Sequence, residues 1–453
     1  MDTTKLSELI GLSLNAQQQF RSRWEEMNDD ESVFLSSDSS KAILKKLEEK
    51  LADNYPFFHP RYAGQMLKPP HQIAMAAYMM AMQINPNNHA LDGGPATAKL
   101  ELEVVAKFAR MFGYQNFIGH LTSSGTIANL EALWVAKSLH PQMKIAFTYS
   151  THYTHRRMCK VIGAPYVVLD SFDDLEKKIE EHSIGTIVVT LGTTSTGKFE
   201  PLHDILPIAR AHGVRVHADA AYGGFFTLLA RQKKLIVDPQ AFLALNDADS
   251  IVIDPHKHGL QPYGCGCILF KDPSVGKLYK HDSPYTYFTS ADLHLGEISL
   301  ECSRPGAAAA SLWATLEAFP LEADRGLGLI LTKTRQAAMK FSQLISTSDY
   351  FLEYTPPDLD IVTYFPRTKL FSASEVSQAT EKIFIDLMNH PVHPLYLATL
   401  NVDSVSIQKK NPKFICDIPT TKILRSVLMK PEHLDFVPTI FAELEEYART
   451  NIK

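Results

Sequence analysis

The sequence predicts an α/β fold: a mostly parallel central sheet with helices on both faces, an N-terminal helical segment and a small C-terminal α+β unit. Three observations predict it. Between about residues 100 and 320, short apolar runs alternate with amphipathic helical patterns, as in a sheet covered on both sides. Over residues 1–54 the pattern is helical and charged, and from about 321 runs of helix and strand follow a different rhythm. The expected units are 1–70, 71–320 and 321–453.

In the first unit, "SKAILKKLEEKLADN" places apolar residues at helical spacing after a serine cap. "YPFFHPRYAGQMLKPP" (55–70) is too rich in proline for one regular element. It suits either the lining of a pocket or a linker packed on the core. "IAMAAYMMAMQI" (73–84) is too short to span a membrane and reads as a buried or interface helix.

In the central unit, helices are expected at 97–114, 126–141, around 155–162, at 172–183 and at 202–213. Strands are expected in "KIAFTYS", "PYVVLD", "IGTIVVTL", "VRVHAD", "DSIVIDP" and "GCILFK". In the last unit, helices at 323–346, 372–391 and 432–450 alternate with strands "LDIVTYFPR", "YLATLNVD" and "KILRSVLM". No internal repeat or low-complexity tract interrupts the chain.

Composition narrows the function classes. The 453 residues carry a formal net charge of −5, with 45% hydrophobic and 21% charged residues, ordinary for a soluble globular protein. There is no basic stripe for nucleic acid. The N-terminus lacks the apolar core of a secretion signal, and the five cysteines form no CxxC pair, so a cytoplasmic protein without a disulfide framework or zinc ribbon is expected.

Open α/β sheets bind ligands beyond the carboxyl ends of their strands, so the residues after each strand are the candidates. "THYTHRRMCK" follows the first of these strands and offers His152 and His155. No nearby carboxylate or cysteine completes a metal set, so no metal site is expected. "GTTSTGKFEP" brings small and hydroxyl residues, including Thr194. "HADAAYGG" holds Asp219 among small apolar residues; a carboxylate desolvated there needs a cationic partner. Taken alone, Asp219 would serve as well as a helix cap. "DPHKHG" puts Lys257 after a buried strand. Thirty-eight residues separate Asp219 from Lys257, enough for a helix and a strand, so both can stand at nearby strand ends. Upstream, Ser124, Gly125 and Thr126 open a helix, where free amides and hydroxyls suit a phosphate.

Together these residues meet the needs of pyridoxal 5'-phosphate. A lysine amine takes its aldehyde, a carboxylate keeps its ring nitrogen protonated, an anion site takes its phosphate, and an aromatic and a small residue take its two ring faces.

The motifs "HADAAYGG" and "DPHKHG", supported by "LGTT" and "THYTHRRMCKVIG", resemble those of the group II pyridoxal-phosphate-dependent amino acid decarboxylases. The resemblance runs from about "FFHPRYAGQM" to "LRSVLM", most of the chain. It implies the fold type I architecture and conversion of an L-amino acid to an amine and carbon dioxide. It makes Lys257 the lysine that joins the cofactor and His256 a phosphate contact. Asp219 becomes the partner of the ring nitrogen, Ala221 and His152 the two faces of the ring, and Thr194 a residue near the ring. Ser124, Gly125 and Thr126 match the phosphate loop. Tyr285 and Tyr287 are the candidate proton donors, beside His152, although neither aligns with the family's tyrosine. His258 replaces the aromatic residue or methionine common after the lysine. The family further implies a homodimer with shared sites and a pocket completed by the segment carrying Phe58, His59 and Gln65. The substrate expectation leans slightly to an aromatic or acidic side chain. Arg304 and Arg425 are further cations that either meet a substrate or serve the fold. The same cofactor set also serves an aldehyde-forming lyase or a transaminase, and an inactive protein on this fold is the reading from another class.

Overall fold

The computed structural model describes residues 3–26, 30–280 and 299–452. Its central sheet has seven strands: β1 (Ile118–Thr122), β2 (Lys144–Thr148), β3 (Tyr166–Leu169), β4 (Ile184–Thr190), β5 (Arg215–Asp219), β6 (Ser250–Ile253) and β7 (Gly266–Phe270). Their order is β1-β7-β6-β5-β4-β2-β3. Strands β3, β2, β4, β5 and β6 run parallel, and β7 runs antiparallel between β6 and β1. Every residue of β4, β6 and β7 is buried, which explains why these strands read as continuous apolar runs rather than as alternation.

Strand β1 is absent from the sequence reading. Gly119 and His120 interrupt any β-branched pattern. The tertiary structure supplies the reason for the glycine: a Cβ at Gly119 would lie 2.5 Å from the Ile268 carbonyl oxygen of β7.

Helices connect the parallel strands, and their ends are written locally. Ser124 caps the helix Gly125–Leu139 by accepting from the Ile127 amide. Pro95 opens the helix Pro95–Phe112, and Gly113 closes it at φ 89°. The largest apolar core gathers the sheet's inner residues with Val104, Val105 and Phe108 of that helix and Leu312 and Leu316 of the helix Gly306–Ala318.

A second sheet, antiparallel, has the order β10-β11-β9-β8, from β8 (Phe351–Thr355), β9 (Ile361–Pro366), β10 (Ala398–Asp403) and β11 (Thr420–Val427). Strand β8 also escaped the sequence reading, because "FLEYT" is short and carries Glu353. The helices Leu327–Ser346 and His433–Asn451 pack on this sheet through Phe341, Ile345, Val437, Ile440 and Leu444. Ser372 and Glu375 begin the helix Ala373–Met388, the serine accepting from the Glu375 amide.

The segment 55–70 joins the second sheet. The Ala63 amide donates to the Tyr396 carbonyl, and the Val427 amide donates to the Ala63 carbonyl. Arg61 forms a two-pronged pair with Glu443, at 2.6 and 2.9 Å. Of the two sequence readings of this segment, the packed linker describes these contacts.

Candidate active site

The strand ends converge on one cavity of about 170 Å³. It is lined by Ser124, Gly125 and Thr126 after β1, His152 and Thr154 after β2, and Thr190, Gly192 and Thr194 at the end of β4. Asp219, Ala221 and Tyr222 come from the end of β5, and Asp254, His256 and Lys257 from the end of β6. Asn129 reaches in from the helix that follows Ser124. Adjacent parallel strands β5 and β6 thus bring Asp219 and Lys257 together despite their separation in sequence. All nine residues expected to hold the cofactor, Ser124, Gly125, Thr126, His152, Thr194, Asp219, Ala221, His256 and Lys257, line this cavity.

The Lys257 ammonium is 3.0 Å from Asp254 Oδ2. The same oxygen lies 3.5 Å from His256 Nε2. His256 Nδ1 is 2.7 Å from the Cys265 carbonyl and so carries its hydrogen there. Nε2 then bears a hydrogen, and can donate to a phosphate, only when the ring is protonated. A Cβ on Gly125 would stand 2.5 Å from Asp254 Oδ2, so only glycine lets the end of β6 approach the helix start this closely. The sequence reading quoted Asp254 without assigning it. Its signal was its place three residues before the lysine, where a turn brings the two side chains together.

Asp219 is buried, and its Oδ1 accepts from the Ala221 amide at 3.3 Å. Burial pushes its carboxyl up, but His155, Lys257 and His217 outweigh burial and hold it below the usual carboxylate value. His155 Nε2 is 3.6 Å from Asp219 Oδ2. His217, on β5, bonds Asn129 Oδ1 and Ser250 Oγ, each at 2.8 Å, and burial lowers it to about 3. His152 Nδ1 is 2.7 Å from Thr154 Oγ1. Burial lowers this imidazole too, ahead of the opposing pull of Asp219, so it is neutral at pH 7.

These features fit pyridoxal phosphate on structural grounds. A carboxylate is kept charged where a ring nitrogen needs it, and a lysine stands at the neighbouring strand end. The Gly125 and Thr126 amides, at the start of a helix, have no protein acceptor among the described residues.

Other expected residues lie elsewhere. Phe58, His59 and Gln65 are not among the residues lining the cavity. Phe58 is 66% exposed, and Gln65 is exposed. The His59 ring accepts from the Arg61 amide at 3.1 Å and meets Phe436 edge-on. The pairing of this segment with the second sheet explains the displacement. Arg304 is a fold cation, paired with Glu101 and donating to the Leu121 and Asn88 carbonyls. Arg425 donates to the carbonyls of Thr194, Ser195 and Gly64. Tyr285 and Tyr287 lie outside the described residues. His258 turns away from the cavity, 3.4 Å from Asp360 in a fully buried pair.

Among the described residues, no group of three or more His, Cys, Asp or Glu is arranged to hold a metal. No described helix is long and apolar enough to cross a membrane.

Comparison with known proteins agrees with the geometry. The pyridoxal-dependent decarboxylase conserved domain matches residues 152–362. A probable L-aspartate decarboxylase of Pyrococcus furiosus is 27% identical, over 71% of this chain and 86% of its own. An L-tyrosine decarboxylase of Enterococcus faecium is 25% identical, over 76% of this chain and 75% of its own. The crystal structure of mouse CSAD in apo form superimposes with a TM-score of 0.74 at 19% identity, covering 98% of this chain and 92% of that one, a likeness of fold. The cofactor is pyridoxal 5'-phosphate. In its motifs, its strand-end cavity and the match over residues 152–362, the chain is similar to the pyridoxal-dependent decarboxylases.

Proposed function

We propose that this protein removes the α-carboxylate of an L-amino acid as carbon dioxide and releases the amine, with Lys257, Asp219 and His152 at the centre of the reaction. The observation that carries the reading is the convergence of Lys257 and the charged, buried Asp219 on one cavity beside a helix start suited to phosphate. When bound, pyridoxal phosphate supplies an aldehyde for an amine and a ring that accepts the electron pair left by the departing carboxylate.

The protein's own groups do the rest. Lys257 offers the amine, and Asp254 orients it. Asp219 holds a proton at the ring nitrogen, so that electrons are drawn there. Gly125 and Thr126, with the Ser124 hydroxyl, hold the phosphate with the His256 ring beside it, while His152 and Ala221 confine the ring and Thr194 lies beside it. A half-buried, neutral His152 excludes water from one face and can hand on a proton. Tyr285 and Tyr287 are the other donors this reading admits.

The lean to an acidic or aromatic substrate is supported by relatives named for aspartate and for tyrosine. We further propose a homodimer. The helix Ser37–Leu51 buries no residue, and its Ile43, Leu44, Leu47 and Leu51 are 47–63% exposed, a surface that calls for a partner. A cytoplasmic location suits the five cysteines, none of which is paired in the structure.

The test is spectroscopic and chemical. Purified protein supplied with pyridoxal phosphate should absorb in the visible. Lys257→Ala should lose that band and at least about 10³-fold in turnover, as expected when a group acting directly on the reacting atoms is removed. A variant that keeps both refutes the assignment. Screening the amino acids for carbon dioxide and amine release, against aldehyde or keto-acid formation, separates decarboxylation from its rivals.

A further inference from the structure

His155 stands behind Asp219 and takes no part in the residue roles set out so far. It opens the helix Thr154–Val161, and its side chain is completely buried. Nδ1 lies 3.1 Å from the His152 carbonyl, so Nδ1 carries a hydrogen. Nε2 points to Asp219 Oδ2 at 3.6 Å, within ion-pair reach but without a hydrogen bond. With Nε2 bare, two electron-rich atoms would face each other in a desolvated site. With Nε2 protonated, the imidazolium and carboxylate form a charge pair.

The surroundings sharpen the choice. Asp219 meets Lys257, His217 and the Ala221 amide as well as His155. His217 already spends both ring nitrogens on Asn129 and Ser250. Lys257 is held by Asp254 and is committed to the cofactor in the loaded enzyme. His152, the other titratable neighbour of His155, turns its Nδ1 to Thr154. The Phe147 ring, 5.9 Å away, closes another side of His155. His155 is therefore the group that can still compensate Asp219 from behind once Lys257 is used. Burial is the larger influence and lowers the His155 imidazole from its ordinary value, while the charge of Asp219 pulls the other way and favours its protonation.

We propose that His155 is a positioning residue for the reaction: through Nε2 it fixes the orientation and the negative charge of Asp219, and thereby keeps the ring nitrogen facing Asp219 protonated. The inference rests on the cofactor assignment above. Nothing in the local sequence required a histidine here, since a structural helix start needs no imidazole.

The direct readout is the ¹⁵N chemical shift of ring-labelled pyridoxal phosphate bound to the protein, followed with pH beside the visible absorption band. In the unaltered protein the ring nitrogen should stay protonated through pH 8. In His155→Leu its titration should fall by about one unit or more, the size expected on losing an opposite charge at this distance. The kcat should fall with little change in KM. His155→Gln, which restores a donor without a charge, should recover folding and cofactor binding but not the full titration. An unaltered ring-nitrogen titration and kcat in His155→Leu overturn the proposal. If His155→Leu does not fold, an unaltered titration in His155→Gln does so. Failure of the unaltered protein to bind the cofactor would instead overturn the cofactor assignment and this inference with it.

Discussion

Asp219 and Asp360 are both buried carboxylates, yet the structure treats them in opposite ways. Asp219, at the end of β5, is held below the usual carboxylate value. Asp360, at the start of β9, is pushed up to about 6. Burial is the largest influence on each and raises both. Around Asp219, His155, Lys257 and His217 outweigh it. Around Asp360, a hydrogen bond from Tyr222 at 2.6 Å and the charge of Lys68 do not. Lys68 is itself buried, and its ammonium is lowered to about 8.

The difference teaches how one chain uses the same side chain twice. The cavity carboxylate lies among Lys257 and two buried imidazoles and is held below the usual carboxylate value, which suits a partner of the ring nitrogen. The second carboxylate is a joint. It ties Tyr222, a cavity wall after β5, to the second sheet, and it sits 3.4 Å from His258. His258 itself is driven well below its ordinary value by burial and packs against Tyr222 and Phe226, with ring centres 4.8 and 5.2 Å away. The histidine after the lysine is thus part of the seam between the sheets and does not line the cavity.

Three substitutions can break or sharpen this contrast. The largest effect should come from Asp219→Asn, which keeps the shape and removes the charge. Its kcat should drop roughly 10²–10³-fold, the scale for losing one electrostatic contact to the reacting system. Steady-state kinetics at saturating cofactor would show it, and near-normal turnover would mean that the charge of Asp219 is not needed.

Asp360→Asn should act on stability and with the opposite pH sign. A carboxyl raised to about 6 in the folded protein contributes stability that is whole below about pH 4 and is lost as pH rises through about 6. At pH 7 the loss amounts to about 3 kcal/mol, from a shift of roughly two units. Asparagine removes that loss. Urea unfolding at pH 4 and pH 7 should therefore show the variant gaining relative to the parent as pH rises. Parallel stabilities across that window would count against the raised Asp360.

The smallest effect belongs to Tyr222→Phe. It deletes one donor to Asp360, worth about 1 kcal/mol, and should push the Asp360 titration higher still, because that hydrogen bond lowers it. The same pair of unfolding curves would register the shift. An unchanged profile would show that the Tyr222 hydroxyl does not govern Asp360.

The cavity was legible in the sequence because its parts are local. Strand ends are marked by apolar runs, and each run delivers its own residue: His152, Thr194, Asp219, Lys257. The mostly parallel sheet needed only the alternation of helix and strand. Strands β1 and β8 were illegible because Gly119, His120 and Glu353 disturb the local pattern, and pairing across the sheet overrides it. The segment carrying Phe58, His59 and Gln65 resembled a pocket wall in composition, but Arg61 pairs with Glu443 far along the chain.

By itself the sequence determined the fold class, the cofactor and the residues that converge on the strand-end cavity, because a strand's burial and the chemistry of the residue at its end are both written within a few positions. Tertiary structure alone decided that Arg304 would be spent on Glu101, that Asp254 would lie against Gly125, and that His155 would stand behind Asp219. Those outcomes depend on which distant groups meet in a desolvated place. There, charge and hydrogen-bond demands are settled by neighbours that no local pattern names.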